Sequence, residues 1–228
     1  MLPVRRSRTW QSLARFWQRD ESLSVLLGLL IVFAFVLPPL APGDGTSGTL
    51  TAALFSLVLV AGIATVMRQN RWLAGAVAIL CLVALPLRWL AWNQAGGKFA
   101  IWSAAAETFT LALLAAVVLT KVLLPGTVTR HRLVGAVAAY ILLGLAWAGA
   151  YEWLALRDPA AFAGATTGAG KQWIYYSFVT LTTMGYGDIL PVQPAARSLA
   201  TAEALTGQLY LAILISRLVA LELQARKP

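Results

Sequence analysis

The sequence predicts an all-α membrane protein of six transmembrane helices, with a re-entrant helix and loop between the fifth and the sixth. Three observations predict it. Charged residues make up 12% of the 228 residues and hydrophobic ones 59%, whereas globular domains carry about a quarter charged residues. The apolar residues fall into six runs, each near the ~20 residues that a helix needs to cross hydrocarbon. Between the last two runs, residues 157–194 are too short and too interrupted to add two more spans. A half-helix followed by a returning extended segment fits that length, and irregular backbone at membrane depth is tolerated only where it lines a water-filled path.

Composition also excludes alternatives. The formal charge of +9 could point to nucleic acid, but the Lys and Arg residues sit in loops and termini between apolar runs, as membrane topology requires. No nucleic-acid partner is expected. Cys81 is the only cysteine and lies inside an apolar run, so no intrachain disulfide can form and a packed or lipid-facing thiol is expected. His131 is the only histidine. The sequence thus has no His/Cys cluster for zinc, no catalytic triad and no paired acid and base. No enzyme activity and no cofactor other than transported ions is expected.

In chain order, residues 1–21 carry Arg5, Arg6, Arg8, Arg15 and Arg19, with Trp10, Leu13 and Trp17 at helical spacing and Phe16 beside them. Rings on one face and arginines on the other describe an amphipathic helix lying in the cytoplasmic headgroup layer, where anionic lipids are its partners. A solvated basic tail is the plainer alternative. Leu40-Ala41-Pro42 makes a poor cleavage site, which argues against a signal peptide. The first run spans 23–40 and ends at Pro38-Pro39. A turn-rich segment, 41–48, leads to the second run, 50–67, closed by Arg68 to Arg71. The third, 72–92, ends in Arg88, Trp89 and Trp92, which read as an interfacial aromatic cluster with one snorkelling cation. The fourth covers 100–124 and is broken by Pro125-Gly126. The fifth covers 133–156 and the sixth 195–223. If the runs alternate, the basic N-terminus, the Arg68/Arg71 loop, the Arg130/Arg132 loop and the Arg226-Lys227 tail share one side. Positive-inside makes that side cytoplasmic, with both termini there in a multi-pass protein of the cell (inner) membrane. Residues 157–194 then face outward.

That outward segment contains Thr182-Thr183-Met184-Gly185-Tyr186-Gly187-Asp188. Glycine admits backbone conformations closed to other residues, so successive carbonyls can point the same way. A ring of such carbonyls can replace the water shell of a cation. A plain glycine turn between helices would not need Thr-Thr before it, Asp after it and an aromatic helix upstream. The stretch resembles the filter signature of potassium channels at every position except Met184, where valine is usual. Upstream, 173–182 resembles their pore helix, whose negative dipole end would favour a cation in the central cavity.

The resemblance implies roles residue by residue. Thr183, Met184, Gly185, Tyr186 and Gly187 would supply backbone oxygens in successive rings around K+, the Thr183 hydroxyl forming the innermost. Thr182 and Asp188 would support the filter, and the Tyr186 ring would pack outward and hold its diameter. Tyr175 stands at the aromatic position that pairs with the aspartate in the family, so a Tyr175 hydroxyl to Asp188 hydrogen bond is expected. Val179 stands where some members carry a glutamate, which rules out a carboxyl pair with Asp188. In the inner helix, Gly207 falls at the family's hinge position, although close packing against the pore helix explains a glycine equally well. Ala204, Gln208, Leu211 and Ile215 share one helical face, which by resemblance lines the cavity. Glu203 is the least expected residue, because charge at membrane depth is costly and marks function. One position before Ala204, it turns toward the back of the pore helix, where Thr and Tyr hydroxyls would satisfy it. A neutral carboxyl and proton-sensitive gating are the functional readings its location supports.

The resemblance divides the chain into an interfacial helix (1–21), a four-helix transmembrane scaffold in the voltage-sensor position (22–126) and a pore domain (127–228). Voltage sensing needs about three to four gating charges per subunit. The fourth run carries only Glu107, near its outer end, and Lys121, which would snorkel inward. Steep voltage gating is therefore not expected, and neither is regulation by a ligand-binding domain after Leu223. One filter per chain supplies a quarter of each carbonyl ring, so three identical subunits are the partners in a homotetramer. The function implied is passive conduction of K+. The alternatives are a cation channel with relaxed K+/Na+ selectivity, because unbranched Met184 holds the wall less stiffly, and a potassium transporter subunit.

Overall fold

The computed structural model describes residues 21–40, 45–66, 71–93, 98–123, 129–166 and 170–225. The expected interfacial helix therefore lies outside the described residues, except for Glu21, and so do Arg68 and the Arg226-Lys227 tail. All six apolar runs are helical over their described residues. The first is continuous from α1 (Glu21–Ile31) through a π-helical turn (Val32–Val36) to α2 (Leu37–Leu40). The widened turn closes with the Leu37 N–H on the Val32 carbonyl, one residue before Pro38. Proline lacks the N–H that an α-helical turn would give to Ala34, and its ring opposes that carbonyl.

The remaining runs form α3 (Gly45–Val66), α4 (Arg71–Asn93), α5 (Lys98–Leu123), α6 (Arg130–Arg157) and α8 (Pro194–Ala225), with the short α7 (Lys171–Leu181) between the last two. Among the described residues, four helices are long and apolar enough to cross a membrane: Leu23–Leu40, Phe99–Leu123, Arg130–Arg157 and Pro194–Ala220. The apolar stretches in α3 and α4, Thr49–Thr65 and Gly75–Leu90, are shorter.

α5 packs along α6 more extensively than any other two elements pack, and α1 lies on the same α6. Leu26, Leu30, Leu114 and Leu142 meet there, fully buried. The π turn sets Phe35 against Phe178 of α7, ring centroids 5.0 Å apart. A second core lies at the other end of α6, where Tyr151, Phe162, Trp173, Tyr176 and Ile189 pack together.

Two sequence expectations change. The chain is not purely helical: β1 (Phe162–Ala163) pairs antiparallel with β2 (Leu190–Pro191), Phe162 opposite Pro191 and Ala163 opposite Leu190. Two rungs are too few to leave an alternating pattern in the sequence. Arg88, read as a snorkelling cation at a span end, is instead paired with Glu107 of the fourth run. The Arg88 guanidinium is 2.5 Å from Glu107, whose other oxygen accepts from Ser103 at 2.8 Å. Arg88 also lies 5.2 Å above the Phe55 ring. Burial selects the pair, because at 7% exposure Glu107 needs a counter-charge.

Candidate functional site

α7 is an 11-residue helix, half of what crossing requires. Trp173, Tyr176 and Ser177 are buried and Tyr175 is exposed. Its start is pinned by Gln172, which accepts from the Thr166 amide at 2.8 Å and donates to the Thr166 carbonyl at 2.6 Å.

A helix end leaves carbonyls without partners. Here the following stretch doubles back to fill them. The Thr183 amide donates to Thr180 at 2.9 Å, and the Met184 and Gly185 amides donate to Val179 at 2.9 and 3.4 Å. The backbone then alternates in hand. Thr183, Gly185 and Gly187 have φ of 59°, 58° and 80°, while Met184 and Tyr186 stay outside that region. Alternation of this kind rotates successive peptide planes, so their carbonyls need not point to opposite sides as they do in a strand. An added Cβ at Gly185 or Gly187 would meet nothing within 4 Å, so these glycines serve conformation and not space. Thr183 is β-branched and has no such freedom. Its positive φ costs about 1–3 kcal/mol of backbone strain, of the sort that persists at functional sites.

Past Gly187, the chain is clamped by the ribbon. Gly164 combines φ +79° with an approach so close that a Cβ there would lie 2.0 Å from the Asp188 carbonyl oxygen. The Asp188 carboxylate, ahead of desolvation, holds the Tyr175 phenol above its ordinary pKa. The Tyr175 ring stacks on Tyr186 at 6.4 Å and an interplanar angle of 10°. Tyr186 is thereby turned back toward α7.

α8 meets this assembly at several points. The Gln208 amide nitrogen donates to the Thr183 hydroxyl at 3.2 Å, and that hydroxyl donates to the Thr182 carbonyl at 2.7 Å. The Thr182 hydroxyl donates to Phe178 at 2.6 Å. Gln208, Leu211 and Ile215 are exposed and Ala204 is half-buried, but Leu205, Leu209 and Ile213 are exposed as well. Exposure within one chain therefore does not separate a cavity face from the others. Gly207 sits where a Cβ would lie 2.1 Å from the Leu181 carbonyl oxygen, so close packing accounts for it. Glu203 is fully buried, with Ser177 of α7 on one oxygen and Tyr151 of α6 on the other, both at 2.5 Å.

The sequence reading missed Tyr151 and Ser177. It looked for threonine and for tyrosine on the pore helix, yet the tyrosine comes from α6. The signal was present: a carboxyl buried in an apolar helix needs hydroxyls on the facing helices, and α6 and α7 offer few polar residues at that depth.

Residues 139–223 match the family model described as an ion channel. The match runs from α6 through α7, the glycine stretch and most of α8, so it covers the elements just described and less than half of the chain. It supports an ion-channel family, and with the apolar helices it makes this a membrane protein. No curated protein and no solved structure matches the chain.

Proposed function

We propose that the chain is one subunit of a homotetrameric channel that conducts K+ passively, using the carbonyls of Thr183 to Gly187 and the Thr183 hydroxyl as its filter. The observation that carries this reading is the alternating backbone of Thr183, Gly185 and Gly187, folded onto the end of a half-length helix within the ion-channel match. Strain at a β-branched residue has a purpose if that residue must aim its oxygens at an ion. In this reading α3 and α4, at 22 and 23 residues, complete six spans, and the basic loops keep both termini in the cytoplasm of a cell-membrane protein. Opening is not driven steeply by voltage, because the fourth run carries only Glu107 and Lys121 where a sensor needs about three to four gating charges.

Met184 favours a second reading with relaxed selectivity. Its own chain leaves it 60% exposed, and an unbranched side chain stiffens a filter wall less than valine. Flux from liposomes holding purified protein tests both readings, with K+, Rb+ and Na+ compared and Ba2+ as blocker. Potassium and rubidium flux with little sodium flux is expected. Equal sodium flux defeats selectivity, and dependence on a counter-ion gradient moves the protein to the transporters.

A further inference from the structure

Two short contacts meet at Glu203 and a third joins Ser177 to Gly144, and together they need more hydrogens than two hydroxyls possess. Tyr151 donates to Oε2 of Glu203 at 2.5 Å. The Ser177 hydroxyl lies 2.5 Å from Oε1 and 2.7 Å from the Gly144 carbonyl. A serine hydroxyl carries one hydrogen, and a carbonyl carries none. Were Glu203 ionised, one of the two Ser177 contacts would bring lone pairs together with nothing between them. A hydrogen on Oε1 resolves the count. The acid donates to Ser177, Ser177 donates to Gly144, Tyr151 donates to the carboxyl C=O, and each contact has its own hydrogen.

The surroundings agree. Tyr151, Ser177 and Glu203 are all fully buried. The titratable groups that face Glu203 are phenols, Tyr140 and Tyr151 from α6 and Tyr176 from α7. The groups that act on Glu203 are the Ser177 and Tyr151 hydroxyls, and no cation is among them to offset a charge here. The position is also mechanical. Gly207 lies one turn after Glu203 against Leu181, and Tyr210 follows, donating to the Ala136 carbonyl at 2.6 Å. Spacings of four and three put all three on one face of α8.

We propose that Glu203 is held as a neutral carboxylic acid and acts as a positioning residue, whose hydrogen-bond chain straps α8 to both α7 and α6 behind the glycine stretch. The strap is read within one chain and does not depend on the ion or on the number of subunits; only the flux arm of its test rests on the proposed function. The amide of Glu203→Gln copies the acid, its C=O accepting from Tyr151 and its N–H donating to Ser177. Infrared spectra of the full-length protein at neutral pH should show a protonated-carboxyl C=O band that disappears in Glu203→Gln. That variant should keep the wild-type melting temperature and Rb+ flux, while Glu203→Leu loses both. No difference in the band, or glutamine as damaging as leucine, overturns the proposal. If Glu203→Gln does not fold, Ser177→Ala decides the matter: removal of the acceptor must shift the band, and an unshifted band overturns the assignment. Absence of flux from the wild type would count against the channel reading and leave the spectroscopic and melting results standing.

Discussion

At the scale of single residues, glycines answer to two different demands. Gly185 and Gly187 have room around them and need φ; Gly207 has ordinary helical φ and needs room. Gly207→Ala should therefore cost about 1–3 kcal/mol through overpacking against a backbone carbonyl that cannot turn aside. Gly28→Ala, where an added Cβ meets nothing within 4 Å, should stabilise by about 0.4–1 kcal/mol. Melting of the purified protein in detergent separates the two, and equal shifts would contradict the packing explanation. Tyr175→Phe keeps the ring stacked on Tyr186 but removes the hydroxyl on which Asp188 acts. Faster loss of conduction during sustained activity is the expected result in single-channel records, and unchanged gating would remove Tyr175 from the support of the filter. The glycine stretch and its flanking threonines and aspartate were legible in the sequence because their chemistry is local. Glu203's partners were not, because they lie on other helices, 26 and 52 positions away.

At the scale of elements, hydrophobic run length located every long helix, since lipid demands a continuous apolar stretch with its backbone bonds made internally. It could not say which helices touch. Arg88 reads as an end-of-span cation until α4 and α5 are placed side by side and its partner becomes Glu107. Loss of one partner strands the other charge. Arg88→Met alone should destabilise by about 3–5 kcal/mol, whereas Arg88→Met with Glu107→Leu should regain much of that. A double-mutant cycle on melting temperatures measures the coupling, and additive losses would mean that the pair contributes nothing. The two-rung ribbon was likewise hidden, because its halves, Phe162–Ala163 and Leu190–Pro191, are far apart in sequence and joined only by the fold.

At the scale of the whole molecule, the helices before α6 rest, through α1 and α5, on α6 of their own chain. α5 lies along α6 of the same chain, and Thr108 reaches Gly149 so closely that a Cβ at Gly149 would lie 2.6 Å from the Thr108 hydroxyl oxygen. Cysteines placed at both positions, in a Cys81→Ser background, should oxidise to a bond within one chain. The product should run at single-chain mass on a denaturing gel, while a ladder of linked chains would show that these helices pair between subunits. Currents recorded across a wide range of potentials should show no steep voltage dependence, and a sharp activation threshold would overturn that part of the proposal. Sequence alone was silent on this arrangement, since the same six runs can be packed within a chain or exchanged between neighbours.

That self-contained packing bears on dosage. In the proposed tetramer, a fault in the scaffold of one chain presses first on that chain's own α6, with no neighbour in line to receive it. An assembly drawn from sound and damaged copies would keep each defect in its own quarter. Its output should then fall in steps with the number of damaged copies, whereas an exchanged architecture would spread each fault across two.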